Sequence, residues 1–465
     1  MARRAATAGG FVALLLVPFL SPHAWLLPAA DTPAALDRTH LPPTAITAVT
    51  LANGLRALLV ENHDAPVVTV EVWYHVGSKD ELPGQTGFAH FFEHLMFDGT
   101  KNLGPDEFSD YIVRSGGVDN AYTTEDATVF WETVPSSDLP VALWLEADRM
   151  RDLQITDRAF KNERDVVEEE RRQRFDNQPY GTVVESLYAQ AFTTHPYAHM
   201  PIGSMADLDR AGVGQVKGFY DTFYLPNNAT LVMVGDFDRG AGKALVERYF
   251  SAVPAGLPVA RHIPAEPPQT APRTLKLTRD VSLPAFIEGF HMPADGTPDA
   301  YPLRLAAKIL SEGSSSRIYR RLVYDQQIAL QAESEGNFTE DPNLFFVFAV
   351  LNPGHTPGEA EAEVDTILAD LKSAPVSEAE LDKARNDILH DLVLARQSDQ
   401  SRADELGYDA VVLKDPELVN TELARFLTVT PAEIERVARK YFVPANMTRV
   451  EVAPGGQGLG AGEIR

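Results

Sequence analysis

The sequence predicts an α+β fold of two homologous domains, each a mostly antiparallel sheet with helices packed on one face. Three observations predict it. An aromatic-x-Pro-x-Asn-x-Thr block precedes an alternating strand twice, at Tyr224 to Thr230 and at Phe442 to Thr448. Apolar, strand-like runs lie well upstream of each block, at 67–76 (VVTVEVWYHV) and 285–292 (AFIEGFHM). Aligning Val67 with Ala285 places Pro226 and Pro444 equally far along, as a duplication would. Between these landmarks helix signals dominate, including Ser377 with Glu380 before an apolar-periodic stretch and Thr430-Pro431 with Glu433. Both are capping boxes, the second with proline at the first helical position, where its missing N–H costs nothing.

Residues 1–30 carry Arg3 and Arg4, an apolar run from Gly10 to Leu20, and small residues at Ala24, Ala29 and Ala30. This is the pattern of a secretory signal peptide, and its apolar core is too short for a stable membrane span. A periplasmic or secreted bacterial location is expected. The N-terminal domain is assigned to 44–255. Four prolines in HIPAEPPQTAPR (262–273) mark the end of a linker assigned to 256–273, and the C-terminal domain is assigned to 274–455. The glycine-rich end, 456–465, reads as a disordered tail.

The chain has 465 residues, no cysteine and a formal net charge of −25. Without cysteine, any metal must sit on histidine and carboxylate ligands. So acidic a surface is a poor match for nucleic acid, whereas a basic or unfolded peptide is compatible with it.

The central motif is His90-Phe-Phe-Glu93-His94. On a helix His90, Glu93 and His94 share one face, because residues three and four apart are neighbours. Phe91, Phe92, Leu95 and Met96 make the other faces apolar, so the helix is expected to be buried. Polar groups inside such a helix need partners, since leaving one unsatisfied costs roughly 2–7 kcal/mol. Hydrogen-bonded core histidines are the competing reading; a cation would satisfy both rings and the carboxylate together. A catalytic zinc uses three protein ligands and keeps one position open. The candidate helix for a further ligand is Asn162 to Arg171, where Val166 and Val167 are taken as the inward stripe, Glu163 and Glu170 as its extensions, and Glu168 and Glu169 as solvated. His195 and His199 are also four apart, but Pro196 disfavours a helix there, and they are read as structural or surface histidines.

H-x-x-E-H followed by an E-R-x-V-x-x-x-E helix resembles the pitrilysin and insulinase family of zinc peptidases. The resemblance extends to Gly116-Gly-Val-Asp-Asn-Ala-Tyr-Thr-Thr124, which looks like that family's substrate-pairing edge strand, and spans about Leu51 to Val452. It implies one Zn2+ held by His90, His94 and Glu170, with Glu93 as general base and Glu163 orienting a ligand histidine. It further implies that Asn120, Ala121 and Thr123 hold a peptide substrate as an added β-strand. Active single-chain members carry an arginine and a tyrosine in the second half; anchored on Arg317 and Ala329, those positions here are Val323 and Leu330. A one-residue slip would offer Arg321 or Tyr324 instead. Short members of the family often pair a zinc subunit with one bearing the arginine and tyrosine, so a homologous partner subunit is expected. The alternative is a non-catalytic, core-type scaffold subunit, which would need no buried ligands.

Overall fold

A computed structural model describes residues 41–455; the predicted signal peptide and tail lie outside the described residues. The first half builds a six-stranded sheet from β1 (Thr47–Thr50), β2 (Arg56–Glu61), β3 (Val67–Tyr74), β4 (Val118–Thr123), β5 (Thr128–Pro135) and β6 (Ala229–Gly235). Its order is β1-β2-β6-β3-β5-β4. The second half builds β7 (Arg273–Arg279), β8 (Ala285–His291), β9 (Ala329–Gly336), β10 (Leu344–Leu351) and β11 (Met447–Pro454), in the order β7-β11-β8-β10-β9. Apart from β1, the two sheets have the same topology. Each contains one parallel pair, β2 with β6 and β7 with β11, and is otherwise antiparallel.

The helices of the first half are α1 (Phe88–Leu95), α2 (Glu107–Arg114), α3 (Leu139–Asp152), α4 (Asp157–Arg171), α5 (Val183–Ala191), α6 (Met205–Arg210), α7 (Val213–Phe223) and α8 (Arg239–Phe250). Those of the second are α9 (Ala300–Ser311), α10 (Pro357–Ser373), α11 (Glu378–Leu394), α12 (Asp399–Val411), α13 (Leu418–Thr428) and α14 (Pro431–Tyr441). Both predicted capping boxes are formed, at the starts of α11 and α14.

Each sheet buries one face under helices of its own half and the other under a helix from the opposite half. Leu58, Trp73, Val129 and Val232 meet Ala403 and Leu406 of α12, while Ile287, Phe346 and Val450 meet Leu187 and Tyr188 of α5. Burial on both faces explains why β3 and β10 read as nearly unbroken apolar runs rather than alternating ones. The exchange is complementary in size. Gly407 of α12 lies so close to Trp73 that a Cβ there would fall 2.0 Å from the indole Nε1. In the other half the bulk is on the helix, with Leu187 of α5 set against Gly289 of β8.

The duplication is visible in a repeated hydrogen-bond pair. Asn228 Nδ2 donates to the carbonyls of Phe223 (2.8 Å) and His75 (3.1 Å), and Asn446 Nδ2 to those of Tyr441 (2.9 Å) and His291 (2.8 Å). His75 is therefore the counterpart of His291, which shifts the expected alignment of Val67 with Ala285 by two residues. An even shift leaves every side chain on the same sheet face, so the apolar pattern could not reveal it. The 256–272 segment forms no helix or strand and is tied down along its length. Arg261 Nε donates to Asp80 (2.8 Å), and the Glu266 carboxylate accepts from the backbone N–H groups of Thr193, Thr194 and His195.

Candidate metal centre

Helix α1 begins at Gly87, whose φ of 96° is one that a side chain would strain. The helix's unpaired N-terminal donors need an acceptor, and Glu81 supplies it: its two carboxylate oxygens accept from the N–H groups of Gly87 and Ala89, each at 2.8 Å. His199 Nε2 in turn contacts Glu81 Oε2 at 2.9 Å. Phe88, Phe91, Phe92 and Leu95 are buried, as expected of a helix apolar on those faces. His195 is also buried, capping a single 3-10 turn at Pro196–Ala198 and accepting from Tyr197 N–H. The two histidines four apart thus serve different partners, and among the described residues the only cluster close enough to hold a metal is His90, Glu93 and His94.

Helix α4 brings the remaining carboxylates. Its inward stripe is Phe160, Glu163, Val167 and Glu170, which corrects the expectation at two positions. Val166 is 43% exposed, and Glu168 is buried, paired with Arg172 at 3.1 Å. Steps of three, four and three residues keep Phe160, Glu163, Val167 and Glu170 within one stripe, whereas Val166 sits about 100° round the helix from Val167.

His90 Nε2 and His94 Nε2 both approach Glu170 Oε2, at 3.7 and 3.2 Å. Two ligands of a tetrahedral zinc with bonds of about 2.0–2.1 Å lie roughly 3.4 Å apart, so each imidazole–Glu170 separation fits a shared cation. Glu93 Oε2 is farther from His90 Nε2, at 4.0 Å, and accepts a hydrogen bond from Thr123 Oγ1 at 2.7 Å. Glu93 clusters with the two histidines, and the Thr123 hydrogen bond also engages it with the sheet. Glu163 Oε2 stands 3.5 Å from His94 Nδ1, on the ring edge away from Glu170.

The electrostatics divide the two imidazoles. Burial, reinforced by the neighbouring His94, pulls His90 down to about 3. Burial acts the same way on His94, but hydrogen bonds to Glu163 and Glu170 outweigh it and raise the ring to about 9. Burial works against ionisation of Glu170, yet His94, His90 and Arg174 hold it down at about 2. Burial also raises Glu93 above the usual carboxylate range, against the Thr123 hydrogen bond.

β4 is the edge strand of its sheet, and α1 packs against it. Ala121 and Thr123 face α1, and strand alternation turns Asn120 to the opposite face, beside Tyr122, whose hydroxyl bonds Asp404 of α12. The three predicted substrate-binding residues are thus split between two faces, although their backbone shares one free edge. In the second half, Val323 is half-buried in a π-helical turn and Leu330 is 63% exposed on edge strand β9. Arg321 Nε donates to Glu363 of α10 at 2.5 Å, and Tyr324 is 70% exposed.

Several residues that shape the site escaped sequence reasoning. Arg171 is buried at the end of α4 and bonds the carbonyl of Gly203 and the carboxylate of Glu185. Gly203 abuts the N-cap of α1, since a Cβ on it would fall 2.4 Å from Gly87 Cα. Arg171 thereby fixes α4 against α1. Arg174 forms an ion pair with the outer oxygen of Glu170, and its i, i+4 spacing after a glutamate was the one signal the sequence offered.

A duplicated sheet-and-helix fold carrying two histidines and two carboxylates at one buried point defines a peptidase family. The chain belongs to the insulinase family, peptidase family M16. The family's Insulinase (Peptidase family M16) model matches residues 56–203, and its Peptidase M16 inactive domain model matches 212–388. The chain is 33% identical to the zinc protease PqqE of Helicobacter pylori over 87% of its length and 92% of that protein. It is 26% identical to the mitochondrial-processing peptidase subunit beta of Lentinula edodes, over 84% of this chain and 86% of that one. A crystal structure of a protease from Helicobacter pylori superimposes with a TM-score of 0.85 at 32% identity, covering 89% of this chain and all of that one. Among the described residues, no helix is long and apolar enough to cross a membrane.

Proposed function

We propose that this chain is the zinc-bearing subunit of an endopeptidase that hydrolyses peptides or unfolded polypeptides in a bacterial periplasm. One observation carries the reading: Nε2 of His90, Nε2 of His94 and Oε2 of Glu170 converge on one point, with Glu93 tied to the free sheet edge beside it. His90, His94 and Glu170 would hold Zn2+. When bound, zinc polarises water and the scissile carbonyl.

The chain's own residues supply the rest. A peptide adds to the edge of β4 through backbone hydrogen bonds, which read chain direction more than sequence. Glu93 takes a proton from the attacking water as its oxygen bonds to the carbonyl carbon. The same proton then passes to the leaving nitrogen as the C–N bond breaks. Raising the Glu93 carboxyl by burial brings its proton affinity closer to that of the groups it serves. Glu163 holds His94 by Nδ1 so that Nε2 faces inward.

The absence of an arginine and tyrosine at Val323 and Leu330 supports dependence on a homologous partner subunit that carries them. A lost oxyanion donor costs roughly 3–4 kcal/mol of transition-state stabilisation. The same absence favours the second reading, a non-catalytic scaffold subunit. Zinc content and hydrolysis of an unstructured peptide separate the two, measured on the isolated chain and with its partner, with Glu93→Gln as control. About one zinc per chain, with activity appearing on partner addition and abolished by the substitution, is the expected result. A chain that binds no zinc would be the scaffold.

A further inference from the structure

The Glu170 carboxylate is divided between two neighbours. Its Oε2 faces the two imidazoles, while Oε1 lies 2.6 Å from Arg174 Nη1. Arg174 is one turn beyond Glu170, in the π-helical segment Arg172–Asp176 that continues α4, and π-helical turns concentrate at functional sites. The neighbouring arginines serve other groups: Arg171 bonds Gly203 and Glu185, and Arg172 bonds Glu168 and Glu169. Glu170 is the carboxylate that Arg174 engages, and its guanidinium is half-exposed beside a carboxylate that is 15% exposed.

Such a pair has two consequences for a carboxylate ligand. A carboxylate with both oxygens free can grip a cation through both, filling an extra coordination position. An oxygen already ion-paired with a guanidinium at 2.6 Å is drawn away from that role. The guanidinium also adds a positive charge near the cation position, which opposes metal binding. A group present only to strengthen metal binding would not bring such a charge.

We propose that Arg174 is a positioning residue that holds Glu170 to one-oxygen ligation, keeping a coordination position free at the cost of some metal affinity. The proposal rests on the zinc-site reading above. It predicts that removing Arg174 separates metal affinity from turnover. The two would fall together if the residue merely propped up the ligand.

The test uses the full chain loaded with cobalt as a spectroscopic substitute for zinc, with its partner subunit for turnover. In Arg174→Ala, the visible cobalt bands should weaken as coordination rises from four to five. Zinc affinity, measured by chelator competition, should stay level or tighten, while turnover falls about ten- to a hundredfold. Arg174→Lys, which keeps a cation near Oε1, should restore the wild-type spectrum. Circular dichroism and thermal unfolding of each variant establish that it is folded. Unchanged cobalt bands in a folded Arg174→Ala variant would overturn the proposal, as would zinc affinity and turnover falling in parallel. A wild-type chain that takes up neither metal would instead refute the zinc-site reading itself.

Discussion

Thr123 Oγ1 donates a hydrogen bond of 2.7 Å to Glu93 Oε2, tying the edge strand of the first sheet to the helix that carries both histidines. The strand that would receive a peptide and the carboxylate that would carry its proton are thus in direct contact. This bond favours the charged form of Glu93, against the burial that raises it.

Replacing Glu93 by Gln should therefore leave metal binding within a few-fold and reduce peptide hydrolysis by about 10²–10⁴. Thr123→Val keeps the shape but removes the donor. Losing it should raise the Glu93 carboxyl further, so the acid limb of kcat/KM against pH moves to higher pH, with a fall of roughly tenfold at the optimum. Steady-state kinetics across pH 5–9 would check both; an unmoved acid limb in Thr123→Val would show that the bond does not tune Glu93.

Metal uptake should be linked to a proton. In the metal-free chain His94 is raised to about 9, so it is charged at pH 7 and must lose its proton before Nε2 can bind a cation. Apparent zinc affinity should climb by about tenfold per pH unit from the ordinary histidine range towards pH 9 and flatten above it. For the metal-free fold the sign is opposite. A histidine raised on folding stabilises fully below its unfolded value near 6.5, and that contribution is lost as pH rises through 9. Calorimetric zinc titrations in buffers of different ionisation enthalpy would count the released proton, and finding none at pH 7 would contradict the charged His94.

Breaking the tie between α4 and α1 should loosen the site from a distance. Arg171→Ala leaves the Gly203 carbonyl and the Glu185 carboxylate without their partner. A fully buried pair broken this way costs roughly 3–5 kcal/mol. Glu185 is partly exposed, so about 2–3 kcal/mol is expected here. Urea unfolding would read the stability loss, and chelator competition an accompanying fall in zinc affinity of about tenfold or more. Unchanged affinity would mean that the two helices keep their spacing without Arg171.

The exchange of helices between the halves has its own test. A methyl group at Gly407 would overlap the Trp73 indole, and overpacking of this kind costs about 1–3 kcal/mol. Gly407→Ala should lower the unfolding midpoint accordingly, whereas alanine at Gly358, whose Cβ would meet nothing within 4 Å, should not. Equal midpoints for the two variants would remove the argument for tight packing at Trp73.

Much of this molecule is legible in its sequence. The H-x-x-E-H spacing dictates that His90, Glu93 and His94 share a helix face, because helical neighbours are set by the chain itself. Both capping boxes and the duplicated Pro-x-Asn block are local signals of the same kind. The errors arose where two answers look alike along the chain. A two-residue register shift preserves the face pattern, and adjacent valines at 166 and 167 do not reveal which one turns inward.

What the sequence determined by itself was therefore the shared face of His90, Glu93 and His94, the helices that carry the candidate ligands and the repeat of the fold, since each depends on local signals. Only the tertiary structure decided how they meet. Nothing in sequence spacing brings α4 beside α1, sets Thr123 on Glu93, assigns Arg171 to a loop carbonyl, or lays α12 across the opposite sheet. Those contacts join segments distant in the chain, and they exist because apolar faces on both sides of each sheet must be covered together.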